Sequence, residues 1–176
     1  MKWALVGGLA VGTRASPRTT RDVDVAVAVA GDAAAEACVA TLAARGYALQ
    51  GDIEQTATRR LATVHVLSPV GDVAVDLLFA SSGIETEVVA EAEPMEVVAR
   101  LPLPVARTGH LIALKLLARD DRSRPQDIDD LRALSAVADD AEWARAAHAI
   151  ALIQSRGAAR GRSLKAALGA LRKRRG

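Results

Sequence analysis

The clearest pattern along the chain is Asp22 to Ala30, DVDVAVAVA, where valine alternates strictly with aspartate or alanine. Period-two alternation marks a half-buried strand, because successive side chains point to opposite faces. Val23, Val25, Val27 and Val29 share one face, and Asp22, Asp24, Ala26 and Ala28 the other. Trp3 to Val6 is a short apolar run ending at Gly7-Gly8, a buried strand entering a tight turn. Leu9 to Thr13 suits a helical turn that Ser16-Pro17 ends. Residues 61–67 and 73–79 read as two more strands, joined by the hairpin-like Ser68-Pro69-Val70-Gly71-Asp72. In the second of them Asp76 shares a face with Ala74 and Leu78. Residues 97–105 predict an edge strand, since Pro102 and Pro104 cannot donate to a central ladder.

Helical periodicity takes over elsewhere. Residues 32–45 predict a helix with Asp32 as N-cap and Gly46 as its stop. Further helices are predicted near 108–119, 125–138, 140–154 and 162–173, with Gly157 and Gly161 marking a linker before the last. There are no internal repeats. The order predicts an α+β fold: a mixed sheet flanked by helices in residues 1–106, then a helical C-terminal portion with a basic tail in 107–176.

Composition supports a core of Ala, Val and Leu, since 51% of residues are hydrophobic but only 2% aromatic. The single cysteine, Cys38, excludes an internal disulfide and suits a reducing compartment, with Cys38 itself as packing in an Ala-rich segment. No apolar run approaches the roughly 18 residues of a membrane span. The apolar start is broken by Gly7-Gly8 and followed, not preceded, by arginines, the reverse of a signal peptide. A cytoplasmic protein is expected. The net charge of +2 hides a polarity: eight of the 23 Lys and Arg, and none of the 21 Asp and Glu, lie beyond Ser155. The tail carries about +8 and the rest about −6, so the tail is either a solvated last helix or a phosphate-binding surface.

Two aspartates two apart on a strand project side by side and repel unless a cation lies between them. Hard divalent ions favour carboxylate oxygens and keep water sites for substrate phosphates. Asp76, on a strand locked by Val75 and Leu77, supplies a third carboxylate. A DxD pair alone is common. Here Gly7-Gly8 precedes it by a spacer holding Arg14, Arg18, Thr20 and Arg21. Paired glycines let backbone N–H groups approach phosphates, and Arg14 and Arg18 offer neutralising charge. The ensemble points to metal-assisted phosphoryl or nucleotidyl transfer, with Asp22, Asp24 and Asp76 as ligands of Mg2+ or Mn2+. The three histidines, His65, His110 and His148, have no metal-ligand spacing and read as structural.

Val6-Gly7-Gly8-Leu9-Ala10 followed by Arg18-x-Thr20-x-Asp22-Val23-Asp24 resembles the signature of the DNA polymerase beta-like nucleotidyltransferases. In detail it is similar to the AbiEii/AbiGii and MenT-type toxins of bacterial toxin–antitoxin systems, with Asp76 in AVDLLFA as the lone third acid. Leu114-Lys115-Leu116 and Arg124-Pro125-Gln126-Asp127-Ile128-Asp129-Asp130-Leu131 resemble the helical half of those toxins. The resemblance covers roughly residues 3 to 135. It implies that Lys115 and Asp127 line a nucleotide pocket, with Asp130 in support, and that Gly7, Gly8, Arg14, Arg18 and Thr20 contact the nucleotide. On physical grounds alone Lys115, on a largely apolar helix, either snorkels to solvent or reaches a cleft. Two features depart from the pattern: the first strand begins almost at Met1, without a preceding helix, and Gly8 stands where serine often follows the first glycine. The resemblance further implies NTP as substrate, transfer of NMP to RNA at a tRNA 3′ end, and a cognate antitoxin. Modification of a partner protein and a silent interaction module are the alternatives.

Overall fold

The computed structural model describes residues 1–17, 19–54, 60–71, 73–119 and 126–174. Seven strands form one mixed sheet in the order β3-β4-β5-β2-β1-β7-β6. They are β1 (Lys2–Val6), β2 (Asp22–Ala28), β3 (Ala48–Glu54), β4 (Leu61–Leu67), β5 (Ala74–Leu78), β6 (Glu93–Val98) and β7 (Leu101–Val105). The helices are α1 (Gly7–Arg14), α2 (Asp32–Ala43), α3 (Glu85–Ala90), α4 (Thr108–Ala118), α5 (Gln126–Val137), α6 (Asp140–Ser155) and α7 (Leu164–Lys173). The fold class is α+β, as the alternation and helical periods predict.

The alternation of β2 sorts the two sides of the sheet. Val25, Val27 and Val29 pack with Val64, Val66, Leu77 and Phe79 and with Ala35 and Leu42 of α2, forming a smaller core. Val23, at the strand's entry, joins the larger cluster instead. Ala26 and Ala28 face that larger core, which takes Leu5 and Val11, Ile84 and Val88, and Leu111, Ile112, Leu134, Trp143 and Ile150. The helices after residue 107 thus share one apolar core with the sheet. Burial of these side chains, each worth about 1.5–3 kcal/mol, is the main force joining the two parts.

Three local expectations are corrected. The 97–105 segment is two strands, and β7 with Pro102 and Pro104 is not an edge, because it lies between β1 and β6. The prolines are tolerated because β1 pairs with β7 only at Leu5↔Val105, beyond both of them. The chain reverses between β6 and β7 at Arg100, whose φ is +65°. Asp32 is not an N-cap: Gly31 holds that position without a side-chain hydrogen bond, and Asp32 accepts from Arg60 Nε at 3.3 Å. A strand at 48–54 and a short helix at 85–90 join the predicted elements.

Candidate active site

Parallel pairing of β2 with β5 sets Asp24 directly beside Asp76. Both occupy the face that Ala26 and Leu78 direct toward the larger core, and both line a cleft of about 570 Å³. Antiparallel pairing of β1 with β2 puts Val6 opposite Asp24, so the β1–α1 turn arrives at the carboxylate. Gly7 there has φ +63°, and a Cβ on it would lie 1.8 Å from Asp24 Oδ2. Only glycine fits both the conformation and the space. The Gly8 N–H donates to Asp24, so the glycine turn holds the carboxylate as well as lining the cleft.

Burial, and then the neighbouring charge of Asp76, push the Asp24 carboxyl above the ordinary carboxylate range. Lys115 and the Gly8 N–H pull the other way. A half-buried carboxylate raised by a second one beside it is an electrostatic arrangement a cation relieves. Asp22 stands one pleat along the same face but is exposed, and is a minor influence on Asp24. Among the described residues no three His, Cys, Asp or Glu side chains gather as a ready-made cage. The donor set is therefore a carboxylate pair with room for substrate oxygens, which fits a hard divalent ion better than a closed structural site.

Helix α4 supplies the opposite wall. Lys115 does not snorkel to solvent: its Nζ donates to Asp127 Oδ1 at 2.8 Å and pairs with Asp130 Oδ2 at 2.7 Å, both from α5. Its side chain is 15% exposed and lines the cleft. Asp127 is buried, and its Oδ2 has no partner among the described residues. The two acids fix the ammonium at the cleft and offset its charge.

The remaining expected residues divide. Arg14 is not among the lining residues: Nε and Nη2 donate to Ala106 O (2.9 Å) and Val105 O (3.1 Å), and Nη1 to Glu93 (2.8 Å). It fastens α1 to the end of β7. Thr20 Oγ1 bonds the Asp22 carbonyl at 3.2 Å and shapes the approach to β2. Arg18 lies outside the described residues, as do Arg124 and Pro125.

Sequence reasoning passed over His65. On β4, opposite Asp76 in register, its Nδ1 lies 2.6 Å from Asp76 Oδ1, and the ring lines the cleft. The signal was its place on an inward-alternating strand next to the strand of Asp76; a search for histidine spacing could not see a cross-strand pair. Arg160, from the α6–α7 linker, also lines the cleft.

Residues 1–175 match the family described as nucleotidyl transferase AbiEii toxin, type IV TA system. The chain belongs to the AbiEii family. No curated protein matches it. As an AbiEii-family protein it is a nucleotidyltransferase, the toxin class of a toxin–antitoxin system, and its substrate is a nucleotide. In this AbiEii-family chain the glycine turn, the Asp24–Asp76 pair and Lys115 converge on a single cleft. No helix among the described residues is long and apolar enough to cross a membrane.

Proposed function

We propose that this cleft transfers a nucleoside monophosphate from an NTP to a hydroxyl of RNA, with a tRNA 3′ end as the acceptor, assisted by a divalent metal. The observation that carries the reading is the convergence of Gly7, Asp24, Asp76 and Lys115 on one cleft. In this reading residues 1–106 supply the carboxylates and the glycine turn, and residues 107–176 supply Lys115 and Asp127. Asp24 and Asp76 would hold Mg2+ or Mn2+, with Asp22 as an outer ligand at the rim. Such an ion supplies Lewis-acid activation of the acceptor oxygen and neutralises phosphate charge.

The residues themselves bind and orient. The backbone of Gly7-Gly8 receives the triphosphate, and the Lys115 ammonium, held by Asp127 and Asp130, points at it. The acceptor oxygen bonds to the α-phosphorus as the bond from that phosphorus to the β-bridging oxygen breaks, releasing pyrophosphate. Asp76, oriented by His65, accepts the hydroxyl proton.

The test is transfer of label from each α-³²P-NTP to total tRNA with magnesium, comparing wild type with Asp24→Ala. Label on RNA with wild type alone supports the reading. Label that follows protein and resists RNase transfers the assignment to a protein acceptor.

A further inference from the structure

The cleft has a second pole. Ser81 follows β5 by three residues, and the Phe79 and Ala80 N–H groups donate to Ala62 O on β4. Ala62 lies three positions from His65, the partner of Asp76, so this end is about 10 Å from the carboxylates at the rise of a strand. Since Val6 pairs with Asp24, the glycine turn lies off the other end of the carboxylate pair. At the second pole Arg160 Nη2 donates to Ser81 O (2.8 Å) and Ser81 Oγ (3.1 Å). Arg160 has φ +52°, a left-handed conformation strained for a non-glycine residue and found at ligand clamps. Lys115 is offset by two carboxylates, whereas Arg160 has no carboxylate partner among the described residues.

Behind the Ala80–Gly83 loop lies a hollow of about 360 Å³ lined by Arg60, Thr86 and Arg156. Arg156 is committed to Glu87 (2.7 and 2.9 Å) and to the Gly83 carbonyl, so it holds the loop in place. Among the described residues Arg60 makes one ion pair, to Asp32 at 3.3 Å; its side chain is 39% exposed, while its Nη2 is buried without a partner there. Arg160, without a carboxylate partner among the described residues, and the partly exposed guanidinium of Arg60 therefore stand on either side of one short loop, leading away from the reacting end.

We propose that Arg160 and Arg60 form a phosphate track for the sugar–phosphate backbone of the acceptor strand, distinct from the triphosphate seat at Gly7-Gly8. The inference rests on the RNA-acceptor reading and gives that acceptor a path. A flexible polyanion is the ligand that uses two separated guanidinium groups, because each bonds phosphate oxygens in a fork.

The test measures binding of fluorescently labelled total tRNA across a salt series for wild type, Arg160→Asn, Arg60→Gln and Arg160→Lys. Asparagine tolerates the left-handed backbone, and circular dichroism checks that each variant folds. The same proteins are titrated with the α,β-methylene forms of ATP, CTP, GTP and UTP. The expected result is that the slope of log K against log salt shrinks by about 0.7–0.9 for each arginine neutralised. Arg160→Lys keeps the slope, and nucleotide binding is unmoved in all variants. An unchanged slope in both neutralised variants overturns the track, as does loss of nucleotide binding in Arg160→Asn or a wild type whose tRNA binding ignores salt. The transfer assay separates this from the broader reading. Labelled RNA with an unchanged slope defeats the track alone, and the expected slopes without labelled RNA defeat the acceptor chemistry while the track stands.

Discussion

Gly7 and Asp24 occupy space that allows neither to change alone. A methyl group at Gly7 collides with the Asp24 carboxylate and must also accept φ +63°. Gly7→Ala is expected to destabilise by about 1–3 kcal/mol and to abolish transfer, read by thermal unfolding beside the labelling assay. Asp24 presents the opposite balance. Its carboxyl titrates above the ordinary range because burial and Asp76 disfavour the charged form. Above that raised value the fold carries a cost of ionisation, and the cost fades as pH falls through it. Asp24→Asn is therefore expected to be inactive yet more stable than wild type at neutral pH. Each kcal/mol relieved raises Tm by about 2–4 °C, and the gap closes toward acid pH. Equal melting of the two proteins at neutral pH would remove the electrostatic argument.

Helix α4 is positioned by how closely it meets α6. At Gly109 an added Cβ would lie 2.3 Å from the Glu142 carbonyl oxygen and 2.9 Å from Ala146 N, so the two backbones nearly touch. Glu142, buried beside them, accepts from Gly109 N at 2.6 Å and pairs with Arg107 and Arg145. Gly109→Ala is expected to cost about 1–3 kcal/mol by overpacking and, by shifting α4, to reduce transfer through Lys115. Full activity with a wild-type melt would show that α4 has slack. The strands that carry the chemistry were legible because alternation is a local property, and Asp22 to Ala28 displays it without interruption. The pairing of Asp24 with Asp76 was legible only as a motif, since register belongs to the sheet and not to either strand. Strand β3 was not legible: it is an exposed edge whose ladder slips between Leu49 and Gly51, so it buries little and leaves no alternation. Arg14 misled because charge near a glycine turn says nothing about which carbonyls lie within reach. His65 was missed because its partner is eleven residues away on a neighbouring strand.

At the scale of the molecule, acid is expected to loosen the fold in two stages. His110 is 2% exposed, and burial lowers its pKa below the ordinary value of about 6.5. The unfolded chain gains a proton there that the native state refuses, so stability falls as pH drops below about 6.5. Glu87 and Glu91 are held below the ordinary carboxylate range by hydrogen bonds from Arg156 and Arg145. Their contribution is present at neutral pH and lost lower, as pH falls through those depressed values. Melting temperatures across a pH series should show both declines, and His110→Gln should remove the upper one; a single low-pH decline in wild type would refute the assignment. The central place of β1 has one more consequence. Its parallel neighbour begins at Leu101, and the bridge that joins them links Leu5 to Val105. During synthesis the first strand to leave the ribosome must wait for one of the last, and Lys115 emerges later still. Contacts so distant along a chain close slowly, so the cleft is assembled only after the chain has been made through Lys115.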